Sequence, residues 1–207
     1  MRNPIMCGPR VYLRPADAND GKELAAYYHA EPEAEIWFGG RSPHAPLGKG
    51  SWLGNTSERY PSDIVFSVCR RAEGAFLGFV ALFSIDYVNR TAESGSYLGP
   101  PHRDQGYGTE AKHLLLEYAF DRIQLHLIWS VVWERNPRSA TALIKQGYRP
   151  AGRCRWRGTH QGAYHDELLF DVLREEWLTA RLPTSHTIAR GTGNPRGNGK
   201  GAQHGTY

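Results

Sequence analysis

The stretch "AESGSYLGPPHRDQGYGTEA", residues 92–111, places a strand, a double proline and a glycine-rich loop directly before a helix. Residues 92–99 read as a sheet strand, which Pro100 and Pro101 end. From Gly108 onward, apolar residues recur at helical spacing and form one stripe on one helix face. The glycines therefore lie where a helix begins and where its first N–H groups have no intrahelical partner.

Four interpretations of this loop are open from the residues alone. "GYGTEA" satisfies the dinucleotide pattern G-x-G-x-x-A, with Glu134 as a ribose-binding acid, but the double proline separates the strand from the helix. A nucleoside triphosphate is disfavoured because Glu110 stands where the phosphate-binding loop needs lysine. The third interpretation is a pyrophosphate at the helix N-terminus, approached closely because of Gly106 and Gly108. The fourth is a glycine turn without a ligand.

The rest of the chain predicts an α+β fold. Helices are expected over 20–38 with a break near Pro32, more weakly over 47–60, from Gly108, and over 136–147. The last of these has Asn136 as N-cap, Pro137 at the first position and Gly147 at its end. Strands are expected over 10–17, 63–70, 75–86, 92–99, 126–133, 149–158 and 163–173. This order predicts a mixed, mostly antiparallel sheet of about seven strands flanked by helices.

Composition predicts one domain over residues 1–183 and a flexible, basic, glycine-rich tail over 184–207. The tail contains Arg190, Arg196 and Lys200 and no acidic residue, so it accounts for most of the net charge of +4. The remaining domain is nearly neutral, which argues against nucleic acid as a partner except through the tail.

Cysteine and histidine usage predicts neither disulfides nor a metal site. Cys7, Cys69 and Cys154 are far apart, and the nine histidines show no ligand spacing. The N-terminus lacks an apolar signal segment, and no run of residues approaches a membrane span in length. We therefore expect a cytoplasmic protein without a membrane partner.

Three motifs, in order, carry a resemblance to a known family. "RDQGYG" (103–108) matches the Arg/Gln-x-x-Gly-x-Gly/Ala signature of the GNAT acetyltransferases, and "AESGSYLGP" resembles the strand that precedes it there. "NPRSATALIKQGY" resembles the later helix of the branch that contains the ribosomal-protein alanine and serine acetyltransferases. The likeness runs from about Arg10 to Trp177, and the three motifs have the family's spacing.

The resemblance implies that acetyl-CoA is the cofactor and that it lies in a gap between two splayed central strands. Backbone groups of Tyr97, Leu98 and Gly99 would meet the pantetheine arm, and an N–H at or near Leu98 would polarise the thioester carbonyl. Asn136 would cap the second motif helix and contact the arm. The residues implied to hold the pyrophosphate are Arg103, Asp104, Gln105, Gly106, Tyr107, Gly108 and Thr109.

The implied reaction is acetyl transfer to a primary amine by direct transfer in a ternary complex. Glu93 stands where several family members carry the general base, although a purely structural role for this carboxylate stays open. Leu143 stands where many members have the tyrosine that protonates the leaving thiolate, so the acid is unassigned. Ser139 is the nearest substitute and also a candidate cofactor contact, and a simple helix-start role for it stays open.

The acceptor pocket is expected from residues 35–44 together with the turn around 158–166. Its candidate residues are Trp37, Phe38, Arg41, Tyr164 and Asp166. The acceptor would be a protein N-terminus or a small-molecule amine, and a homodimer is compatible with the resemblance. A non-catalytic acyl-CoA-binding module and, less favoured, a dinucleotide-binding protein are the alternatives. On the strand over 149–158, alternation predicts a solvated arginine row at 153, 155 and 157.

Overall fold

The computed structural model describes residues 1–31, 60–160 and 162–181, and these form one mixed sheet with helices on both faces. Its eight strands follow the order β1-β2-β3-β4-β5-β6-β8-β7, and all neighbours are antiparallel except β5 and β6, which are parallel. The strands are β1 (Met6–Cys7), β2 (Val11–Pro15), β3 (Ile64–Arg70), β4 (Phe76–Asp86), β5 (Thr91–Leu98), β6 (Leu127–Trp133), β7 (Arg149–His160) and β8 (Ala163–Leu173).

The helices of the described residues begin where the sequence carries helix-start signals. They are α1 (Asp20–Ala30), α2 (Tyr107–Glu117), α3 (Pro137–Lys145) and α4 (Arg174–Arg181). A single 3₁₀ turn, Pro100–His102, precedes α2, and a π-helical turn, Tyr118–Arg122, extends it. Helix α1 ends two residues before Pro32, which is expected because proline disfavours a helical conformation in the residue before it.

Two apolar clusters hold these helices on opposite faces of the sheet. The larger cluster packs α2, α3 and α4 on one face and includes Leu115, Phe120 and Val132. The smaller cluster packs α1 on the other face and includes Leu24 and Phe79. The sheet is therefore covered on both sides, and the β5-α2-β6 unit lies at its centre.

The two central parallel strands stay paired for only three residues. Thr91, Ala92 and Glu93 of β5 lie opposite residues 127–129 of β6, and the pairing ends there. Strand β5 continues to Leu98 and β6 continues to Trp133, so the strands separate and leave a gap. The fold class and the splayed central strands predicted above are confirmed.

Two features of the sheet differ from the predicted organisation. The two-residue strand β1 makes eight strands instead of about seven, because a strand this short carries no alternation pattern. Alternation along β7 is broken by a bulge in which Trp156 has a φ of 56°, so Arg153, Arg155 and Arg157 do not form one regular row, although all three are exposed as predicted. The expected helix over 47–60 and the continuation of the first helix after Pro32 lie outside the described residues. In the part of the chain that is described, no helix is long and apolar enough to cross a membrane.

Candidate active site

The glycine loop forms the N-terminus of α2 with a left-handed N-cap. Gly106 has a φ of 80° and no side chain, so no side chain caps the first-turn amides. Asp104 also has a positive φ, 59°, which gives the loop a tight curve. The N–H groups of the first turn and the positive end of the helix dipole are thus available to an anion.

Arg10, the residue before β2, holds this loop in place through its side chain. Its guanidinium donates to the carbonyl oxygen of Gln105 at 2.8 Å and to Glu110 Oε2 at 3.0 Å. The other carboxylate oxygen of Glu110 accepts the backbone N–H groups of Arg10 and Val11, at 2.8 and 2.9 Å. These bonds fix the first turn of α2 to the sheet, which explains why an acid stands at position 110.

Arg103 is held by α1 on the other side of the loop. Its guanidinium donates to both carboxylate oxygens of Glu31, at 2.5 and 2.7 Å, and its Nε donates to the carbonyl oxygen of Leu98 at 2.8 Å. Tyr97 Oη donates to the same carboxylate at 3.0 Å. The hydrogen bonds from Arg103 hold the pKa of Glu31 below its usual range. Much of the positive charge of Arg103 is therefore balanced inside the protein, and its main role is to fix the loop to α1.

Backbone groups of β5 face the gap at every second residue. The carbonyl oxygen of Ser94 accepts a hydrogen bond from the hydroxyl of Ser130 on β6 at 2.9 Å. The backbone N–H of Gly99 instead donates to the carbonyl oxygen of Leu77 on β4, also at 2.9 Å. Because successive residues of a strand point their backbone groups to opposite edges, Ser94, Ser96 and Leu98 face the gap. Tyr97 and Gly99 face β4 instead, so of the three predicted pantetheine contacts only Leu98 faces the gap with its backbone.

The gap opens into a cavity of about 940 Å³, within the usual size range of ligand sites. It extends from the start of α2 to the point where β5 and β6 part, with α3 along its side. Lining residues include Glu93, Ser94, Ser96, Leu98, Arg103, Asp104, Gly106, Gly108, Thr109, Lys112, Ser130, Val131, Trp133, Asn136, Ser139 and Leu143.

A hydroxyl network closes the cavity at the point where the strands part. Ser94 Oγ lies 2.7 Å from Tyr148 Oη and 3.3 Å from the carbonyl oxygen of Trp129. Burial raises the pKa of Tyr148, so this phenol stays neutral across the physiological range. We call the group of Ser94, Ser130 and Tyr148 the fork cluster.

Glu93 extends into the cavity just before the fork cluster. Its carboxylate makes no hydrogen bond or ion pair with any residue of the described segments. Burial raises the pKa of Glu93, and neighbouring Glu167 raises it further, while Arg157 and Lys112 lower it. An unpaired carboxyl group with a raised pKa inside a cavity has the properties of a general base.

Lys112, on α2, is a site residue that the sequence reasoning missed. It is 1% exposed, lines the cavity, and has its Nζ 5.8 Å from the ring centre of Tyr148. Burial lowers the pKa of this amine to about 7, against a smaller opposing effect of Glu93. The signal was present, since Lys112 stands four residues after Gly108 and three before Leu115, on the buried side of the helix.

Helix α3 forms the side wall with the cap that the sequence predicted. Asn136 Oδ1 accepts the backbone N–H of Ser139 at 3.0 Å, and Asn136 and Ser139 both line the cavity. Leu143 is buried and lines the cavity in the position where the resemblance implies a tyrosine. No proton donor is therefore provided from that helix position.

The structure brings most, not all, of the predicted site residues together. Gln105 lies outside the cavity lining, with its amide donating to Pro101 O at 2.9 Å. Tyr107 also lies outside it and stacks under the guanidinium of Arg10, 5.1 Å from its ring centre. Tyr97 does line the cavity, while its ring stacks on Tyr28 of α1, with 4.8 Å between ring centres.

The predicted acceptor residues that the structure describes lie away from this cavity. Tyr164 is 63% exposed and stacks on Trp156, and neither lines the cavity. Asp166 is buried and accepts hydrogen bonds from Arg153 and from the backbone N–H of Trp156. Trp37, Phe38 and Arg41 lie outside the described residues.

Comparisons with known proteins agree with this geometry. A family model for the acetyltransferase (GNAT) domain matches residues 10–149. The spermidine N(1)-acetyltransferase of Escherichia coli K12 is 22% identical over 182 residues, which are 88% of this chain and 96% of that protein. YdaF of Bacillus subtilis, provisionally named a ribosomal N-acetyltransferase, is 28% identical over 105 residues, 51% of this chain and 57% of that protein.

A solved structure shares the fold. The spermidine N-acetyltransferase of Vibrio cholerae in complex with CoA and spermine aligns with a TM-score of 0.73 at 22% identity. The alignment covers 83% of this chain and 99% of that one.

Proposed function

Because this chain belongs to the GNAT acetyltransferase family, we propose that it moves the acetyl group of acetyl-CoA directly to a primary amine in a ternary complex. The observation that carries this proposal is the cavity of about 940 Å³ where β5 and β6 part. The glycine helix start lies at one end of this cavity and Glu93 lies at the other, so anion binding and proton transfer have separate places.

The residues present fit coenzyme A along this cavity. The first-turn amides of α2 bind the pyrophosphate, and Gly106 and Gly108 let it approach the backbone. The gap-facing groups of Ser96 and the N–H of Leu98, whose carbonyl oxygen already accepts Arg103 Nε, pair with the amide-rich pantetheine arm as an added strand would. The bound cofactor supplies an acetyl thioester, an acyl group already activated for transfer.

Glu93 prepares the acceptor for attack. An alkylammonium has a pKa near 10, so it must lose a proton before its nitrogen can form a bond to the thioester carbon. The Glu93 carboxylate takes that proton, directly or through one water. A gap-facing amide of β5, at Ser96 or Leu98, donates a hydrogen bond to the thioester oxygen as negative charge develops there.

The acceptor class is a small polyamine or a peptide N-terminus. Two relatives are named for spermidine and one for a ribosomal substrate, and these names motivate both choices. The ionised Glu93 carboxylate in the cavity attracts a cationic amine of either kind, while the neighbouring Glu167 is paired with Arg157 at 3.0 Å. We place the activity in the cytoplasm, since the three cysteines are unpaired.

The test is release of free coenzyme A thiol from acetyl-CoA over a panel of spermidine, spermine and peptides with free N-termini. The wild-type protein is compared with Glu93→Gln and with Glu73→Gln, an exposed control. We expect turnover on one acceptor class and a loss of about 100-fold in kcat for Glu93→Gln, with coenzyme A binding retained. In the wild type, kcat should fall as pH drops through the raised pKa of Glu93, because the protonated carboxyl cannot accept a proton.

A non-catalytic acyl-CoA-binding module is the second candidate, and Leu143 in place of a tyrosine is the observation that favours it. It predicts tight binding of acetyl-CoA in calorimetry with no thiol release on any acceptor. That result would overturn the catalytic proposal. Product identification by mass spectrometry separates the two acceptor classes if turnover is found.

A further inference from the structure

The amine of Lys112 lines the cavity and has no role in the mechanism proposed above. A lysine is rarely buried without an ionic partner, because removing an ammonium from water is costly. Lys112 is 1% exposed and lines the cavity, yet it has no hydrogen-bond or ion-pair partner in residues 1–31, 60–160 and 162–181. Its amine lies 5.8 Å from the centre of the Tyr148 ring. An amine in this situation is suited to an anion that forms inside the cavity.

Lys112 lies at the level of the fork cluster, not at the pyrophosphate loop. Helix α2 runs back along β5, since it connects two parallel strands. Gly108 lies beside the Leu98 side chain, and the four residues of helix from Gly108 to Lys112 advance roughly 6 Å, which equals about two residues of strand. Counting back from Leu98 by that distance reaches Ser96, and the Lys112 amine contacts the ring of Tyr148, whose hydroxyl is bonded to Ser94.

The same end of the cavity holds Glu93, so the acetyl group must lie there for transfer. The sulfur of the thioester is bonded to the carbon that the acceptor attacks, and it must therefore lie within a few ångströms of this end. Leu143 carries no acidic proton, and the hydroxyl of Ser139, the other candidate on α3, is a much weaker acid than an ammonium. Among the described residues that line the cavity, Lys112 is the buried cation at this level, and it has no ionic partner there.

This inference rests on the proposed function. We propose that Lys112 is the acid that protonates the sulfur of coenzyme A when the thioester bond breaks. The acceptor nitrogen forms a bond to the carbonyl carbon, and the C–S bond breaks with its electron pair moving to sulfur. The Lys112 ammonium gives that sulfur a proton. The acceptor ammonium loses two protons in all: Glu93 passes the first to water before the attack and takes the second as the amide forms. A proton then passes from Glu93 to Lys112 through cavity water, which resets both groups.

The ionisation of both groups suits this exchange. Burial lowers the pKa of Lys112 to about 7 and raises the pKa of Glu93, so the two values approach each other. A thiol has a pKa near 8.5, which makes the Lys112 ammonium the stronger acid. The titratable groups that face Lys112 are Glu93 on β5 and Tyr148 before β7, and the Tyr148 phenol stays neutral.

The decisive experiment titrates the thiol of coenzyme A bound to the protein, followed by its ultraviolet thiolate absorbance. It compares the wild type, Lys112→Met and the exposed control Lys22→Met. We expect the bound thiol to ionise about one pH unit lower in the wild type and the control than in Lys112→Met, because the thiolate and the Lys112 ammonium stabilise each other, which also raises the pKa of the amine above its value of about 7 in the free protein. Lys112→Gln provides a second variant, and circular dichroism verifies that each variant is folded.

This measurement needs no acceptor, so it separates the two proposals. Equal titration in wild type and both Lys112 variants, with coenzyme A bound in all, would overturn the role of Lys112 alone. A wild-type protein that binds no coenzyme A would overturn this role and the proposed function together. Once an acceptor is known, kcat of Lys112→Met should drop about tenfold to a hundredfold with KM for acetyl-CoA retained. Acetylation of Lys112 itself, detected by mass spectrometry, would contradict the proposal because the amine would then be a nucleophile.

Discussion

Glu93 and Lys112 bring ionisable groups into one cavity from opposite elements, β5 and α2. Burial disfavours the charged form of each, so it raises the pKa of the carboxyl and lowers the pKa of the amine to about 7. Neither group has a hydrogen bond within the described residues that would fix its protonation state. The site therefore holds two groups that can change charge near neutral pH, which a purely structural pair would not need.

Lys112→Met should stabilise the free protein, most strongly at pH values below about 7. The folded-state pKa of about 7 lies below the ordinary value of 10.5, so the unfolded chain binds more protons between these values and wild-type stability rises with pH there. Methionine removes the cost of burying an ammonium, and one pKa unit corresponds to about 1.4 kcal/mol. Below about pH 7, the gain in free energy of unfolding should be several times this value of about 1.4 kcal/mol, and it should shrink toward pH 10.5. Urea denaturation across this pH range measures it.

Lys22→Met is the matched control for that experiment. Lys22 is exposed on α1, so its replacement should change the free energy of unfolding by less than about 0.5 kcal/mol at every pH. A stability difference between wild type and Lys112→Met that grows with pH would contradict the assigned burial cost.

At the residue scale, the sequence predicts the positions that local geometry determines. Gly106 is recognisable because only glycine readily adopts the left-handed helix start, and Asn136 because its side chain caps the next turn. Lys112 and Glu31 are not recognisable in the same way. The role of Lys112 depends on Tyr148, 36 positions away, and the role of Glu31 depends on Arg103, 72 positions away. The acceptor residues that the structure describes, Tyr164 and Asp166, remain predictions.

At the element scale, the start of α2 depends on a conformation that a side chain opposes. Gly106→Ala should cost about 1–2 kcal/mol, because alanine disfavours the left-handed region. Its methyl group would also lie 2.8 Å from Arg10 Nη2, and Arg10 holds the carbonyl oxygen of Gln105. We therefore expect coenzyme A affinity to fall about tenfold, close to 1.4 kcal/mol, in isothermal titration calorimetry.

Gly147→Ala separates the two effects of that substitution. Gly147 ends α3 with a φ of 93°, and an added Cβ there would contact nothing within 4 Å. It should therefore lose similar stability with no change in coenzyme A affinity. Equal affinity losses in both variants would mean that the loop geometry is not what binds the cofactor.

The bond between α1 and the loop is the second element-level feature that can be tested. Glu31→Gln leaves the Arg103 guanidinium, 15% exposed, without its charged partner and should cost about 3 kcal/mol. The pKa of Glu31 is lowered in the folded state, so this stabilisation is present above pH 4.5 and is lost as pH falls below it. Urea denaturation at neutral and acidic pH measures both parts.

Glu73→Gln is the control for this ion pair. Glu73 pairs with Arg70 at 3.1 Å, but its side chain is 62% exposed, so the change should cost less than about 1 kcal/mol. If the two variants were equally stable, the α1 contact would not hold the loop.

The sequence predicts where strands occur more completely than it predicts the geometry of each strand. Strand β8 coincides with the predicted 163–173, and β3, β4, β5 and β6 agree within one residue, because apolar and β-branched runs between turn residues determine strands locally. The bulge at Trp156 depends on Asp166, which accepts its N–H at 2.9 Å from the next strand. Such cross-strand contacts are what residue order does not reveal.

At the scale of the whole molecule, the cavity is a consequence of sheet topology. One parallel pair at the centre of an otherwise antiparallel sheet places α2 and α3 on the same face, and the pair stays joined only through residue 93. The two apolar clusters hold both faces of the sheet, so the gap can open without loss of the core. The fold and the cofactor cavity are therefore one feature.

Residues 184–207 should be dispensable for this arrangement. A chain ending at Pro183 loses three positive charges and no acidic residue, which lowers the net charge from +4 to about +1. Because residues 1–181 contain every strand, helix and cavity residue described above, we expect its melting temperature and its rate of thiol release to match those of the full chain. The same pair of proteins, applied to immobilised RNA, tests whether the tail binds nucleic acid: retention that salt weakens and truncation removes would assign that role to the tail. A lower melting temperature for the shorter chain would instead show that the tail packs on the domain and that the domain boundary at 183 is wrong.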